Sequence, residues 1–423
     1  MIVNHVNIQK VLFKRKNKGG KNMRTKVKLK GGISLIVLVI TIIVMIILAA
    51  AIILSLSNSG IIGKANKAKT DTDTSNAKDL VAMAHADWML DEAKIKENDN
   101  TITSFSNYAE KKLQEAGYKV GAGEGAYTVT EDGEVYTGLT ETARTAIKAG
   151  IKIGDIVTGY TVTSTTYETS GEENTAPSNT ETDPTKQTVT ANTAITWKYL
   201  GVNANGEMEI MADLGTTAAS ANMKVKLSGK GGYLKGPEML NTICEKLYSV
   251  SGVGTGRSMN IDDVNNILGY TGPKGAYYDS SYNYTPTKEA KTIASLESEL
   301  GITLSNRTTP DGKDIENYYS NSYNISKTND VSKMKNVENV NLVYNDKNEY
   351  WLASPCVHVN FLSGFAHFCV RKVSSNSVWV GFVSLSTGGA DTSTYAIRPV
   401  VKLDTSVKLT KDANVANTWN ITK

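Results

Sequence analysis

The stretch YWLASP at residues 350–355 opens a segment near the carboxyl end of the chain, and YAIRPVV at residues 395–401 closes it. Between these two blocks lie four of the six Phe and two of the four His of the whole chain. Short runs that alternate apolar and polar residues predict β-strands throughout this segment. Scarce aromatic and imidazole side chains are therefore concentrated in one strand-rich region.

The run from Phe365 to Val370 shows what this concentration implies. In a strand, Phe365, His367 and Cys369 face one side and the intervening residues face the other. If one set forms the core, the opposite set is an exposed aromatic and imidazole surface, and such clusters usually mark a binding surface. The alternative is that both faces are buried in a compact mixed domain, and periodicity alone leaves both open.

The WLAS opening and the RPVV close resemble the C-terminal module of surface proteins of gut Firmicutes. That module is related to the C-type-lectin-like and formylglycine-generating-enzyme-like folds, and the resemblance covers residues 195–405. It implies a ligand-binding domain. In a subset of such proteins the last strands are diversified by retroelements that randomise Asn codons, and residues 357–394 fit that description. The calcium-ligand motifs of true C-type lectins and the catalytic cysteine pair of the formylglycine family are absent from this sequence, so no cofactor is predicted.

The resemblance and the alternation together select the expected ligand-binding side chains. All lie between the two blocks, and they are His358, Phe361, Phe365, His367, Cys369, Lys372, Trp379 and Phe382. Aromatic and imidazole groups give contact area at low entropy cost. Arg398, in the closing block, is expected to support the fold through hydrogen bonds to nearby carbonyl groups.

An unbroken apolar run occupies residues 33–56 and is long enough to cross a bilayer as one helix. Every charged residue before Gly32 is Lys or Arg, which predicts a single-pass membrane protein with a cytoplasmic N-terminus and an extracellular C-terminal domain. The run is too long for a secretory signal peptide. An ordinary signal anchor fits it well.

Gly31 and Gly32, placed between the basic leader and the apolar run, resemble the class III signal of type IV prepilins and pseudopilins. The resemblance implies that a prepilin peptidase cuts between Gly32 and Ile33, and that other pilin subunits are partners. A start at Met23 would give the short leader of that family. The first mature residue, Ile33, and the fifth, Val37, depart from the family's Phe or Met and Glu, which makes a major filament subunit a poor match.

Charge and motif content exclude several functions. Ten of the 46 Lys and Arg precede Gly32, so 36 remain against 42 Asp and Glu, and the rest of the chain carries about −6. A nucleic-acid partner is therefore not predicted. With four His and no metalloprotease or serine-hydrolase motif, neither catalysis nor a metal is predicted. Of the three cysteines, Cys244 and Cys356 either form a disulfide or are buried thiols.

The predicted fold class is α+β, with a long transmembrane and stalk helix, a small α+β unit and a C-type-lectin-like mixed domain. Asp132-Gly133 and Asn205-Gly206 predict hairpins at residues 126–136 and 195–212. Helices are predicted at residues 106–116, 139–149, 237–248 and 260–268, and residues 252–256 are predicted to be the loop that ends a helix. The predicted units are a basic leader (1–32), the transmembrane and stalk helix (33–100), a connector (101–158), a Thr- and Ser-rich linker or loop (159–194), the lectin-like domain (195–405) and a C-terminal tail (406–423).

These observations predict a pilin-like cell-surface protein that displays an adhesin- or receptor-like domain for an unknown protein or surface ligand. The alternative is a minor type IV pilin or pseudopilin subunit without a ligand of its own. A third interpretation, an anchored hydrolase, would require His358 or His367 to be catalytic.

Overall fold

The structure is a computed structural model, and it describes residues 61–163, 165–171, 184–214, 223–271, 325–344, 348–360, 365–385 and 392–423. For the strand residues 355–360, 365–368 and 379–385 it describes the backbone but not the side chains. The chain divides into two compact units, Met1–Thr72 and Asp73–Lys423. The leader, the apolar run and the predicted cleavage site at Gly32 and Ile33 all lie outside the described residues.

The described helices and strands share one numbering in chain order. The helices are α1 (Ile61–Asn98), α2 (Phe105–Glu115), α3 (Glu141–Lys148), α4 (Gly229–Tyr248), α5 (Ile261–Leu268) and α6 (Val340–Val343). The strands are β1 (Tyr127–Val129), β2 (Val135–Thr137), β3 (Ile156–Thr158), β4 (Thr166–Glu168), β5 (Thr188–Thr190), β6 (Thr196–Val202), β7 (Met208–Asp213), β8 (Lys224–Ser228), β9 (Gly254–Ser258), β10 (Tyr350–Asn360), β11 (Phe365–Val373), β12 (Val378–Leu385), β13 (Thr392–Ala396), β14 (Pro399–Leu403), β15 (Lys408–Lys411) and β16 (Thr418–Thr422).

The predicted fold class requires correction. None of the helices in the described ranges is both long and apolar enough to cross a membrane, so the predicted transmembrane helix and the single-pass membrane location are not borne out. The described part is a mixed α/β structure with several sheets. The apolar run at residues 33–56, on which the prediction depended, is not among the described residues.

Helix α1 packs against a small core instead of standing free as a stalk. Its buried positions, Ala77, Val81, Ala84 and Trp88, contact residues of α2 and β1. The helix is interrupted at Asp91, whose backbone is not helical (φ −153°, ψ 52°). Strands β1 and β2 form the predicted hairpin, and Gly133 supplies the positive φ of its turn. This part is therefore one compact helix and hairpin layer.

The larger core lies between the two main sheets described. One has seven strands in the order β15-β16-β3-β6-β7-β14-β9, and the other has five in the order β12-β11-β10-β13-β8. Helix α4 packs with its buried face, Leu240, Ile243 and Leu247, toward this core. Each such side chain contributes about 1.5–3 kcal/mol when it is fully buried. The C-terminal domain is thus held together by two sheets with α4 packed against both.

Three predictions from sequence are wrong in this region. Residues 406–423 are not a tail, because β16 pairs with β3 in the seven-stranded sheet and Trp419 is fully buried. The ends of the predicted linker, residues 166–168 and 188–190, pair as β4 and β5. Residues 254–258 are strand β9, where the predicted loop was expected, and a Cβ at Gly256 would lie 2.4 Å from the carbonyl oxygen of Cys244 in α4. Glycine is therefore required there by the close approach of β9 to α4.

Candidate ligand-binding surface

The expected binding residues lie on three consecutive strands. β10 pairs antiparallel with β11, and β11 pairs antiparallel with β12, which is the outermost strand of the five-stranded sheet as described. On its other side β10 meets β13 in a parallel pair, through Tyr350 and Ala396. The two sequence blocks, residues 350–355 and 395–401, therefore anchor the inner edge of this three-stranded meander.

The register brings distant residues into direct opposition. His358 lies opposite His367, and Cys356 lies opposite Cys369. On the other side of β11, Cys369 lies opposite Phe382. Residues that lie on separate strands are thus neighbours in one sheet. Phe361 lies outside the described residues, and Phe365 is the first residue of β11.

The same register divides the predicted site between two faces. Because alternate residues of a strand lie on opposite faces, His367 and Cys369 occupy one face of β11 and Lys372 occupies the other. Lys372 lies opposite Trp379 on one side and Trp351 on the other. A β-bulge follows Phe368 on the side of β12. The expected residues therefore do not form one continuous patch.

Lys372 is committed to contacts within the domain. Its Nζ donates to the Glu349 carboxylate (2.9 Å) and to the Tyr395 hydroxyl (3.0 Å), and it lies 4.2 Å from the centre of the Tyr395 ring. Burial alone would lower the pKa of Lys372, but these hydrogen bonds outweigh burial and raise it above its ordinary value. Tyr395 in turn packs edge-on against Trp351, with ring centres 4.7 Å apart. Lys372 thus stabilises the anchored end of the meander and is a poor candidate for a ligand contact.

The described cysteines are buried. Cys369 is fully inaccessible, so its side chain is not part of an exposed surface. Cys244 is a free thiol in the core, which excludes the predicted disulfide with Cys356 and confirms the alternative of a buried thiol at that position. Burial raises the pKa of the Cys244 thiol, which keeps it protonated and inert.

Arg398 supports the fold, as predicted. It is 3% exposed, and its Nε donates to the carbonyl oxygen of Ala212 (2.9 Å) while Nη1 donates to the Tyr350 hydroxyl (2.9 Å). Trp351 makes a similar link, since its Nε1 donates to the carbonyl oxygen of Val225 (2.8 Å). These bonds fix the first residues of β10 to β7 and β8. The base of the meander is therefore rigid.

Sequence reasoning missed a buried ionic cluster beside this base. Arg257 on β9 donates to both carboxylate oxygens of Glu209 (3.1 and 2.8 Å) and of Asp263 (2.7 and 2.6 Å). Asp263 also accepts from the backbone N–H of Asn260 and closes the capping box of α5. Burial would lower the pKa of Arg257, but the two carboxylates raise it. The Asn260-x-x-Asp263 spacing was the one signal in the sequence for this site.

One depression of the described surface lies away from the meander. The cavity lined by His85, Trp88 and Phe105 measures about 350 Å³ and belongs to the helix and hairpin layer. Among residues whose side chains are described, no three His, Cys, Asp or Glu are arranged to hold a metal ion. Comparisons with family models, with curated proteins and with solved structures found no match to this chain.

Proposed function

We propose that the C-terminal domain is a binding module whose ligand contacts the meander β10–β12. The observation that carries the proposal is the register, because it sets His358 directly opposite His367, and sets Phe382 opposite Cys369, two residues from His367 along β11. Such a surface is adhesin- or receptor-like, since aromatic and imidazole groups are effective contacts for a protein or carbohydrate surface. The rigid base described above holds it in place.

The proposal is tested with the full chain on glycan and peptide arrays, followed by titration of any ligand found. Phe365→Ala and Phe382→Ala, which the register sets on the same face as His367, are expected to weaken binding at least about 30-fold, the loss typical of an interfacial aromatic anchor. Tyr167→Ala is the matched control, since Tyr167 lies on the separate sheet formed by β4 and β5. Unchanged affinity in both test variants, with unchanged circular dichroism, would remove the meander from consideration.

A second function, a structural subunit of a pilin-like assembly, is favoured by α1. Met83, Met89 and Leu90 are 65%, 73% and 84% exposed, on the side of the helix away from the buried Ala84 and Trp88. Because Met83 and Leu90 are seven residues apart, they lie on the same face. Exposed apolar faces of this kind are usually covered by another molecule.

Sedimentation velocity distinguishes this second function. If α1 is covered by another copy of the chain, the wild type associates with rising concentration and Leu90→Glu remains monomeric. Val415→Glu is the control, because Val415 is also exposed (54%) but lies near the carboxyl end. A wild type that stays monomeric, or a Leu90→Glu variant that associates equally well, rejects the contact.

A further inference from the structure

We propose that the cavity of the helix and hairpin layer binds the side-chain ammonium group of a lysine on a partner protein. One wall of this cavity is the carboxyl half of α1, and the other is formed by the start of α2 and the β1–β2 turn. The residues that carry the argument all line it, and they are Trp88, Met89, Glu92 and Lys96 on α1, with Phe105 and Glu131 on the opposite wall.

The floor of the cavity is aromatic and fixed in place. Trp88 and Phe105 are 9% and 4% exposed, and their ring centres lie 6.2 Å apart. His85 packs edge-on against Phe105, with ring centres 4.9 Å apart. Trp88 and Phe105 belong to the small core of this layer, so both rings are positioned before any ligand arrives. The negatively charged face of an aromatic ring attracts an ammonium group.

One ammonium group of this chain already lies over the floor. Lys96 Nζ is 5.2 Å from the centre of the Trp88 ring and donates to the Glu92 carboxylate (2.5 Å). The two side chains are 41% and 51% exposed, and ion pairs at such exposed positions contribute little to stability. Lys96 therefore shows the kind of group that the cavity accepts, and a second ammonium group can displace it.

The rim favours a cationic partner. Glu92 and Glu131 supply two carboxylates, and Lys96 supplies one ammonium group. Burial alone would raise the pKa of Glu131, but hydrogen bonds from Ser106 and Ser104 outweigh burial and lower it. One of these bonds comes from the backbone N–H of Ser106 (3.3 Å). Glu131 is therefore ionised at neutral pH and complements a positive charge.

A lysine side chain suits both the floor and the rim. Its four-carbon stem packs along apolar surface while its ammonium group meets the carboxylates. Met89, which is 73% exposed at the edge of the cavity, offers a flexible apolar contact for the stem. Met83 and Leu90 do not line the cavity, and the meander lies elsewhere, so this site depends on neither function proposed above.

The test titrates the full chain with a blocked tripeptide that carries lysine between two glycines. The chain is labelled with fluorotryptophan, and the fluorine NMR resonance of Trp88 is identified with Trp88→Phe. The matched peptide carries norleucine, which keeps the stem and lacks the charge. We expect the lysine peptide to shift the Trp88 resonance with a dissociation constant of about 1 mM, and the norleucine peptide to leave it unchanged.

Two charge variants should change the affinity in opposite directions. Lys96→Met removes the competing ammonium group and releases Glu92, so the lysine peptide should bind at least about threefold more tightly. Glu131→Gln removes one carboxylate of the rim and should weaken binding about two- to fivefold. Lys94→Met and Glu134→Gln are the matched controls, because they lie on the same helix and the same hairpin without lining the cavity.

The comparison of the two peptides decides the question in the wild type, whichever variants fold. Equal shifts with the lysine and norleucine peptides overturn the proposal. So does a Lys96→Met variant that binds the lysine peptide no more tightly than Lys94→Met does. A titration with choline separates the remaining source of an ammonium group, since a response to choline without one to the lysine peptide would overturn the assignment to a lysine side chain.

Discussion

The Arg257 cluster allows a prediction with a magnitude. Arg257→Met removes the only cation that contacts Glu209 and Asp263 among the described hydrogen bonds and ion pairs, and both carboxylates are 7% exposed. Removing one partner of a buried ion pair costs about 3–5 kcal/mol, because the other charge is left uncompensated. The Arg257 side chain is 27% exposed, so water reaches part of the vacated space. We therefore expect Arg257→Met to lower the free energy of unfolding by about 3 kcal/mol.

Glu209→Gln is the informative comparison. The amide keeps the shape and one acceptor oxygen, and Arg257 keeps both of its hydrogen bonds to Asp263. The substitution changes a cluster with a net negative charge into a neutral one. The free energy of unfolding should therefore fall by about the value of a single hydrogen bond, about 1 kcal/mol. Arg257→Met should therefore destabilise the fold more than Glu209→Gln, because only Arg257→Met leaves buried carboxylates without a cation.

Urea unfolding of the full chain, followed by tryptophan fluorescence, measures both losses. Trp197, Trp351 and Trp419 are buried in the same core as the cluster and report its unfolding. Lys152→Met is the control, since Lys152 pairs with Asp132 at 3.7 Å on the surface (74% and 60% exposed) and should cost less than about 1 kcal/mol. A loss for Arg257→Met equal to or smaller than that for Glu209→Gln would refute the reasoning.

Two further predictions concern the turn of β6–β7 and the end of α1. Gly206→Ala should cost roughly 3 kcal/mol or more, because φ is +71° and a Cβ would clash with the carbonyl oxygen of Gly138. Gly117→Ala has a similar φ of +88° but no atom within 4 Å of its Cβ, so it should cost only the strain of a positive φ, about 1–2 kcal/mol. Equal melting temperatures for the two variants would contradict this. The hydrogen bond from Lys111, together with those from Thr101, lowers the pKa of Asp99 to about 2. A lowered pKa means stability that is present above pH 4 and is lost as the pH falls toward 2, and Asp99→Asn should remove that dependence. A carboxyl NMR titration with its midpoint near 4 would exclude the Lys111 pair.

Local patterns predicted the elements that local chemistry determines. Asp132-Gly133 and Asn205-Gly206 form turns of hairpins because glycine supplies the positive φ that each turn needs. The helices at residues 105–115, 141–148 and 261–268 lie within one or two residues of their predicted bounds. Arg398 was placed correctly in a supporting role, because a lone arginine between apolar strand residues has few other ways to be accommodated.

Non-local pairing accounts for what sequence reasoning missed. Strand β9 reads GTGRS, without any apolar alternation, and it becomes a strand by pairing with β14 about 145 residues later. The pairing of β16 with β3 connects residues about 260 positions apart, which no local pattern encodes. The binding residues were correctly grouped by segment but not by face, since β-bulges in β10 and β12 shift the register.

The meander separates stability from the proposed binding function along the length of the strands. At its base, Tyr350, Trp351, Val373 and Val378 are fully inaccessible and contribute to the main core. Farther along the two strands, toward Asn360 and Phe365, lie cross-strand pairs such as His358–His367. A substitution at the base therefore disturbs packing shared by both sheets. Because the base alone links β10 to β7 and β8 through Arg398 and Trp351, we expect substitutions farther along the strands to change the proposed ligand binding more than they change the stability of the fold.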